Sequence, residues 1–248
     1  MTRLEFSNQF DLLVSSYRRF KDFDDRELLD SIEFDEYEKS LFLTKAQEEL
    51  VVSLYNGRNS SLQGFEETEE LRRYLSNLVE EAELSPIETS DGKPLGMESN
   101  SKFFTLPENL WFITYESVLL GSDKVCENHT IQDVYPVTQD EYHKIRKNPF
   151  RGANFRRALR LDLSDGNIEI ISKYQVTEYY VRYVRKIKPI ILEDLPNGLT
   201  ISGLSKATDS EVHESLHQRL LEMAVQMAMQ SKLGGSTSNA KNNNNNRE

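Results

Sequence analysis

The sequence lacks several features from which reactive and membrane-bound sites are built. Its single cysteine, Cys126, excludes a disulfide within the chain and any metal site made of several cysteines. No apolar run approaches the roughly 18–20 residues that a membrane-spanning helix needs, and no charged and then apolar leader opens the chain. Glycine-rich phosphate loops and the Gly-x-Ser-x-Gly elbow are missing too. We therefore expect folding in a reducing cytoplasm, with no membrane partner and no cofactor.

Apolar residues are also scarce for a chain of 248 residues, at 38% against 29% charged residues. This balance is typical of a protein with much exposed surface, or of one that neighbouring subunits complete. Aromatic residues make up 10% of the chain, too many for a disordered protein. The length allows one large domain or two small ones with a buried core.

Charge is distributed unevenly along the chain. The first 100 residues carry 23 acidic and 11 basic side chains, and the remainder carries 18 and 19. Residues 144–161 hold seven cations and no carboxylate, in a chain of net charge -11. A basic segment in an acidic chain attracts carboxylates or phosphates, because the rest of the molecule repels anions.

Three interpretations of this basic segment stay open. It could neutralise acidic helices of its own or a neighbouring chain, dock on an acidic partner, or contact a nucleic-acid backbone. Phe150 and Phe155 among the arginines favour the last, whereas the net charge argues against it as the main function. The candidate contact residues, all cationic, are Lys144, Arg146, Lys147, Arg151, Arg156, Arg157, Arg160, Arg182 and Arg185.

The first 84 residues show helical periodicity. Ser7 is a plausible N-cap before Phe10, Val14 and Phe20. A second pattern covers residues 32–55 and ends at Gly57. A third apolar stripe runs from Leu71 to Ala82, and residues 85–101 have the composition of a linker or long loop.

Beyond residue 100 the period changes to that of strands. Residues 110–120 and 176–188 predict strands, and residues 159–170 predict a hairpin that turns at Gly166. Thr138 and Glu141 form a capping-box pair that opens a short helix through residue 147. Thr208 begins the pattern of a final helix through 233, and the Asn-rich tail 234–248 has nothing apolar to bury.

The predicted fold is therefore α+β: a helical N-terminal part, a β-rich mixed region after about residue 100, an amphipathic C-terminal helix and a disordered poly-Asn tail. The predicted division is a helical region over 1–84, a linker or long loop over 85–101, and a β-rich region with a short helix over 102–207. The C-terminal helix over 208–233 and the tail over 234–248 follow.

His213 to His217 match the His-Glu-x-x-His pattern of zinc proteases, in which two histidines hold a metal and the glutamate activates its water. A catalytic zinc needs a third ligand. One family extension would need glycine and histidine where this chain has Leu220 and Met223. His129 and His143 leave a ligand from earlier in the chain open, but we expect neither a metal site nor catalytic residues.

Several blocks of sequence together suggest a known family. They are residues 134–142 (VYPVTQDEY), 147–151 (KNPFR), 157–161 (RALRL), 179–186 (YYVRYVRK), 188–192 (KPIIL), 214–217 (ESLH) and 224–228 (AVQMA). In these blocks the chain resembles the head-to-tail connector ring proteins of crAss-like tailed bacteriophages. The resemblance covers most of residues 1–233 and leaves the poly-Asn tail unmatched.

The resemblance implies a structural protein of the virion and no enzyme. It implies a homo-oligomeric ring of about twelve copies in a podovirus-type tail, at the portal vertex where head and tail connect. The expected partners are the portal protein, other connector or tail proteins, and double-stranded DNA that passes during genome ejection without specific recognition. Such a protein is made in the host bacterial cytoplasm. The alternative is a nucleic-acid-associated adaptor or regulatory protein.

Overall fold

The computed structural model describes residues 1–19, 33–57, 67–87, 101–121, 131–164, 166–196 and 198–244; for 17–19 and 233–244 it describes the backbone alone. The chain forms two compact units, Met1–Leu78 with Ile187–Glu248, and Val79–Lys186. The first is helical and the second is β-rich. Within the described ranges, none of the helices combines the length and the apolar composition needed to cross a membrane.

The helical unit is built around two long helices that carry most of its core. Its elements are α1 (Arg3–Arg19), α2 (Glu36–Tyr55), α3 (Glu69–Leu75) with a 3-10 turn (Ser76–Leu78), a second 3-10 turn (Glu214–Leu216) and α5 (His217–Asn244). The side chains fully buried on α2 and α5 include Leu43, Ala46, Leu50, Leu220, Ala224 and Ala228. The α2 helix begins with a complete capping box between Asp35 and Glu38.

An extended segment at residues 188–192 crosses α2, and polar side chains of that helix satisfy its backbone. Thr44 accepts a hydrogen bond from the amide of Ile190 and donates one to the carbonyl of the same residue. Ser40 accepts from the amide of Leu192, and the amide group of Gln47 donates to a further carbonyl of the segment. Buried polar residues on α2 are therefore paired, as a stable interior requires.

The described residues of the β-rich unit form one seven-stranded sheet and one short helix. The strands are β1 (Val79–Leu84), β2 (Lys102–Thr105), β3 (Leu110–Leu120), β4 (Ile131–Pro136), β5 (Arg157–Asp162), β6 (Asn167–Ile171) and β7 (Val176–Arg185), and α4 (Gln139–Ile145) lies between β4 and β5. The strand order is β1-β7-β3-β4-β5-β6-β2. Among these seven described strands, β4 and β5 are the one parallel pair, because α4 makes the crossover between them.

Each face of this sheet has an apolar cluster. All seven strands contribute to the cluster on one face, with Phe104, Val118, Tyr179 and Val181 among its members, so the sheet curls around it. On the other face, α4 packs its buried side chains against Leu159, Leu161 and Ile171 of β5 and β6. The middle of β5 is consequently covered on both sides.

The α+β class, the helical N-terminal part, the β-rich region and the C-terminal helix are confirmed. β3 has the predicted bounds, and Gly166 adopts a φ of +71° in the turn of the β5–β6 hairpin. Thr138 caps α4 by accepting from the amide of Glu141. Gly57 follows α2 with a φ of +69°.

Several predicted element starts or ends are wrong. The strand predicted through residue 188 ends at Arg185, and the short helix predicted through residue 147 ends at Ile145. α1 begins at Arg3, so Ser7 is not its N-cap and instead donates a hydrogen bond to Glu36. The third helical stripe ends before Val79, where the chain pairs with β7 as β1. Thr208 caps no helix, because it is bridged to Ile191 and its hydroxyl donates to the carbonyl of Pro189.

The predicted segment boundaries stay predictions, and residues 88–100 of the predicted linker lie outside the described residues. The disordered tail over 234–248 is not confirmed: α5 runs to Asn244, and residues 245–248 lie outside the described residues.

Candidate interaction surface

The basic segment forms the end of α4, the loop that follows it and most of β5. α4 turns Tyr142 and Ile145 into the sheet, and Lys144 lies exposed on its solvent side. Arg146 and Lys147 continue this exposed surface beyond the helix end. We call residues 144–157 the basic loop.

Side chains of the basic loop bind its own backbone and hold it in one shape. Asn148 accepts hydrogen bonds from the amides of Phe150 and Arg151, at 2.9 and 3.2 Å. Asn154 accepts from the amides two and three residues further on, at 2.9 and 3.1 Å. Its carbonyl accepts from the side chain of Gln132 on β4, at 2.8 Å. The loop is thus fixed internally and also joined to the sheet.

Gly152 lets this loop close tightly. Its amide donates to the carbonyl of Asn148 at 2.8 Å. A Cβ at this position would lie 2.8 Å from that carbonyl oxygen and 2.9 Å from the carbonyl oxygen of Ile145. Both neighbours are backbone atoms, so a side chain could be accommodated only if the loop moved.

The loop presents aromatic rings to solvent between its cations. Phe150 is 84% exposed and Phe155 is 48% exposed. The guanidinium of Arg156 lies 5.1 Å from the centroid of the Phe155 ring, and that of Arg157 lies 4.2 Å from the centroid of Tyr135. Burial of one such phenylalanine contributes about 1.5–3 kcal/mol, so this surface gains free energy when a partner covers it.

Five of the nine predicted contact residues extend from this loop into solvent. Arg151 forms an exposed ion pair with Glu141 at 3.1 Å. Arg157 is half-buried and donates to the carbonyl of Phe150, so it shapes the loop rather than extending from it. The other four of these five exposed cations have no ion-pair partner in the described part of the chain. They are Lys144, Arg146, Lys147 and Arg156.

Arg160 is not a surface residue. It lies on β5 with a side chain that is only 10% exposed, and its guanidinium contacts the Glu116 carboxylate at 2.8 Å. The other oxygen of Glu116 accepts a hydrogen bond from the hydroxyl of Tyr179 at 2.8 Å. Arg160 Nε lies 2.9 Å from Asp162 as an ion pair without hydrogen-bond alignment. Arg160 therefore neutralises the buried carboxylate of Glu116.

Burial has the largest effect on the pKa values of Glu116 and Tyr179 in this internal network. It raises the pKa of Glu116, although Arg160 and Tyr179 both favour the carboxylate. Burial also raises the pKa of the Tyr179 hydroxyl far above its usual value, and the neighbouring Glu116 carboxylate raises it further. Tyr179 therefore stays a hydrogen-bond donor at every physiological pH.

Arg182 and Arg185 of β7 are paired with the adjacent strand of their own chain. Arg185 lies 3.1 Å from Glu80 and Arg182 lies 4.0 Å from Glu81, both on β1. Arg160, Arg182 and Arg185 therefore do not join the exposed cations of the basic loop.

The His-Glu-x-x-His residues do not form a pair of ligands. His213 caps the 3-10 turn and contacts the Ser215 hydroxyl at 2.8 Å. The Nε2 of His217 lies 3.2 Å from the carbonyl of Val212, and its Nδ1 lies 2.7 Å from the amino group of Met1. Burial, and then that ammonium group, lower the pKa of His217.

No cluster of three or more metal-ligating side chains occurs in the described residues, and Cys126 and His129 lie outside them.

The helical unit contains a cavity of about 1060 Å³ that the sequence did not predict. We call it the acidic groove. Its lining includes Leu4, Asp11, Glu36, Glu193, Asp194 and Asp209, with Arg3 and the start of the chain. The lining residues are up to 208 positions apart in sequence, counted from Met1 to Asp209, so only the folded chain brings them together.

A buried lysine beside this groove neutralises two of its carboxylates. Lys39 is 4% exposed and contacts Asp11 at 2.7 Å and Glu36 at 2.8 Å. Burial alone would lower the pKa of Lys39, but the hydrogen bonds to these two carboxylates outweigh it and the pKa is raised. Arg3 pairs with Asp209 at 3.1 Å. Glu193 and Asp194 remain exposed and have no ion-pair partner in the described residues.

The comparisons with known proteins agree with one another. The chain is similar to "Ring protein 3" of Bacteroides phage crAss001, with 44% identity over 234 residues that cover 94% of this chain and 96% of that protein. It is also similar to "Ring protein 4/5" of the same phage, with 26% identity over 233 residues and 90% of each chain covered. The family model described as phage tail ring protein 3/4 matches residues 1–241. Since this match spans nearly the whole sequence, the chain belongs to the phage tail ring protein 3/4 family of crAss-like phages.

Proposed function

We propose that this structural phage ring protein forms a closed homo-oligomeric ring in the connector between the portal and the tail, and that the genome passes through its channel. The observation that carries the proposal is the family match over residues 1–241. The protein acts by assembling, not by turnover. It is made in the host cytoplasm and becomes part of the virion at the portal vertex.

In a ring of more than two identical subunits, one surface of each copy contacts a different surface of the next copy. Such heterologous contacts form a closed ring when the rotation between copies closes. The basic loop supplies one such surface, through Lys144, Arg146, Lys147, Arg151 and Arg156. Its fixed backbone lowers the conformational entropy lost on binding. The proposed ring of about twelve copies contacts the portal protein and other connector or tail proteins on its two sides.

DNA would pass through the channel without binding to specific residues. The net charge of -11 repels phosphates, so the genome can slide without binding tightly. The proposal assigns no base-reading residue and no phosphate site to this chain.

The direct test is mass photometry and negative-stain imaging of the purified protein, alone and with the portal and neighbouring tail proteins. We expect closed rings whose mass is a whole multiple of the 28.8 kDa chain. A protein that stays monomeric in all of these mixtures would contradict the proposal.

A nucleic-acid-associated adaptor is the second candidate, because Phe150 and Phe155 lie exposed among cations as in proteins that stack bases. This candidate predicts an affinity for DNA that falls steeply as salt is added. A gel-shift series from low to physiological salt tests it. The absence of any shift at low salt would exclude it.

A further inference from the structure

We propose that the basic loop of one copy docks into the acidic groove of the next copy, with the Phe150 ring against Leu4. This inference rests on the proposed ring and identifies the two surfaces that close it. Both surfaces are exposed in the single chain: Phe150 is 84% exposed and Leu4 is 71% exposed.

The loop has the properties of the inserting partner. It carries four exposed cations without an ion-pair partner in the described residues, Lys144, Arg146, Lys147 and Arg156. Phe150 extends from a backbone that Asn148 and Gly152 hold in place. Phenylalanine and arginine are both enriched at protein interfaces relative to the rest of the surface.

The groove has the properties of the receiving partner. Its volume of about 1060 Å³ accommodates several side chains. Its carboxylates exceed its cations: Asp11 and Glu36 share Lys39, and Asp209 has Arg3. Glu193 and Asp194 have no ion-pair partner in the described residues, although one oxygen of Asp194 accepts a hydrogen bond from the amide of Ala207 at 2.8 Å.

A second copy fits this groove better than another kind of partner does. The groove is acidic and has an exposed leucine at its edge, and the loop is basic with an exposed phenylalanine at its tip. Each exposed ion pair contributes only about 0–1 kcal/mol, so apolar burial would supply most of the affinity. The charges would set the orientation and exclude contacts between two loops or two grooves.

The experiment reverses the charge of each surface separately. The loop variant carries Arg146→Glu, Lys147→Glu and Arg156→Glu, and the groove variant carries Glu193→Lys and Asp194→Lys. A control, Glu48→Lys with Glu49→Lys, changes two exposed carboxylates on α2 by the same amount. Assembly is measured by mass photometry, in the mixture in which the unmodified protein forms rings.

We expect each single-surface variant to lose about tenfold or more in association constant, while the control assembles normally. An equimolar mixture of the two variants should regain assembly. In that mixture every unchanged loop finds an unchanged groove, and each reversed loop finds a reversed groove.

Circular dichroism checks that the variants are folded. If the groove variant unfolds, Leu4→Ser replaces it, because an exposed leucine can be shortened with little effect on stability.

Several outcomes would overturn the inference. A groove variant that assembles like the unmodified protein, or a mixture that does not recover, would show that the loop does not enter the groove, although the ring itself would stand. A loop variant whose only defect is weaker DNA binding would make the loop a nucleic-acid contact. Failure of the unmodified protein to form rings would instead contradict the proposed function.

Discussion

Arg160 and Glu116 form a buried ion pair in the β-rich unit. Their side chains meet at 2.8 Å inside the curled sheet, and the hydroxyl of Tyr179 completes the carboxylate's hydrogen bonds. Removing one partner of a buried ion pair leaves the other charge without compensation, which costs far more than the pair contributes.

Arg160→Met should therefore lower the free energy of unfolding by about 3–5 kcal/mol at pH 7. In this variant the folded-state pKa of Glu116 is raised further above the unfolded value near 4.3. The folded state then holds the proton more tightly, so stability falls as the pH rises from about 4. Urea unfolding at pH 4.5 and 7 should show a smaller loss at the lower pH.

Arg156→Met is the matched control, because Arg156 is exposed and has no ion-pair partner in the described residues. We expect it to change the unfolding free energy by less than about 0.5 kcal/mol. Equal effects of the two substitutions would contradict the assignment of Arg160 to the interior.

The sequence could not separate these two arginines. Both belong to the same basic segment, and composition gives them the same role. What distinguishes them is that the middle of β5 is covered on one face by the sheet core and on the other by α4. Coverage of both faces follows from strand order, which alternation along a single strand does not reveal.

Gly152→Ala tests whether the basic loop has one fixed shape. The new Cβ would meet two backbone carbonyls below 3.0 Å, so the loop must shift, at a cost of about 1–3 kcal/mol. Urea unfolding measures this loss. Gly121→Ala is the control, since its nearest contact is a side-chain methyl at 3.4 Å; if both variants lost the same stability, the close packing at Gly152 would be refuted.

At the scale of elements, α4 supports the basic loop because it fixes where the loop begins. Its inner face packs on Leu159, Leu161 and Ile171, and Leu161 is fully buried. The helix has only seven residues. A helix this short depends on tertiary packing rather than on its intrinsic propensity.

Leu161→Ala should thus lower the free energy of unfolding by about 2–5 kcal/mol, since it leaves a cavity under α4. Leu12→Ala makes the same chemical change at an exposed position on α1, and there we expect less than about 0.5 kcal/mol. Denaturant unfolding of the full chain compares them. Similar losses would mean that α4 does not depend on this contact.

Elements with strong local signals were predicted from the sequence, and elements set by distant partners were not. The β5–β6 hairpin has alternation on both sides of a glycine turn, so its register is encoded locally. β1 was predicted as helix because the apolar stripe that begins at Leu71 continues to Ala82; pairing of Val79 with Val184 decides otherwise. The buried Thr44 gave no signal, since its partner Ile190 is 146 positions away.

The candidate site was predicted only in part, because a local pattern reveals contiguous residues and not those that the fold brings together. The cations of the basic loop are contiguous in sequence, so composition alone revealed them. The acidic groove combines α1 with residues 193–209, and no local pattern joins these segments.

For the whole molecule, contacts between a basic surface and an acidic surface imply a dependence on salt. The Debye length falls from about 10 Å at 0.1 M to about 3 Å at 1 M. We expect the population of rings to decrease when the salt concentration is raised across this range, and to recover on dilution. Mass photometry at several salt concentrations measures it; rings that are equally populated at every concentration would exclude a charge-based contact.

In the proposed ring, the basic loop lies between neighbouring copies. A cryo-EM reconstruction of the assembled tail would show the surroundings of Phe150 in every copy. We expect the Phe150 ring to be buried against an adjacent copy. A reconstruction in which Phe150 and the neighbouring cations face solvent or only their own chain would contradict it.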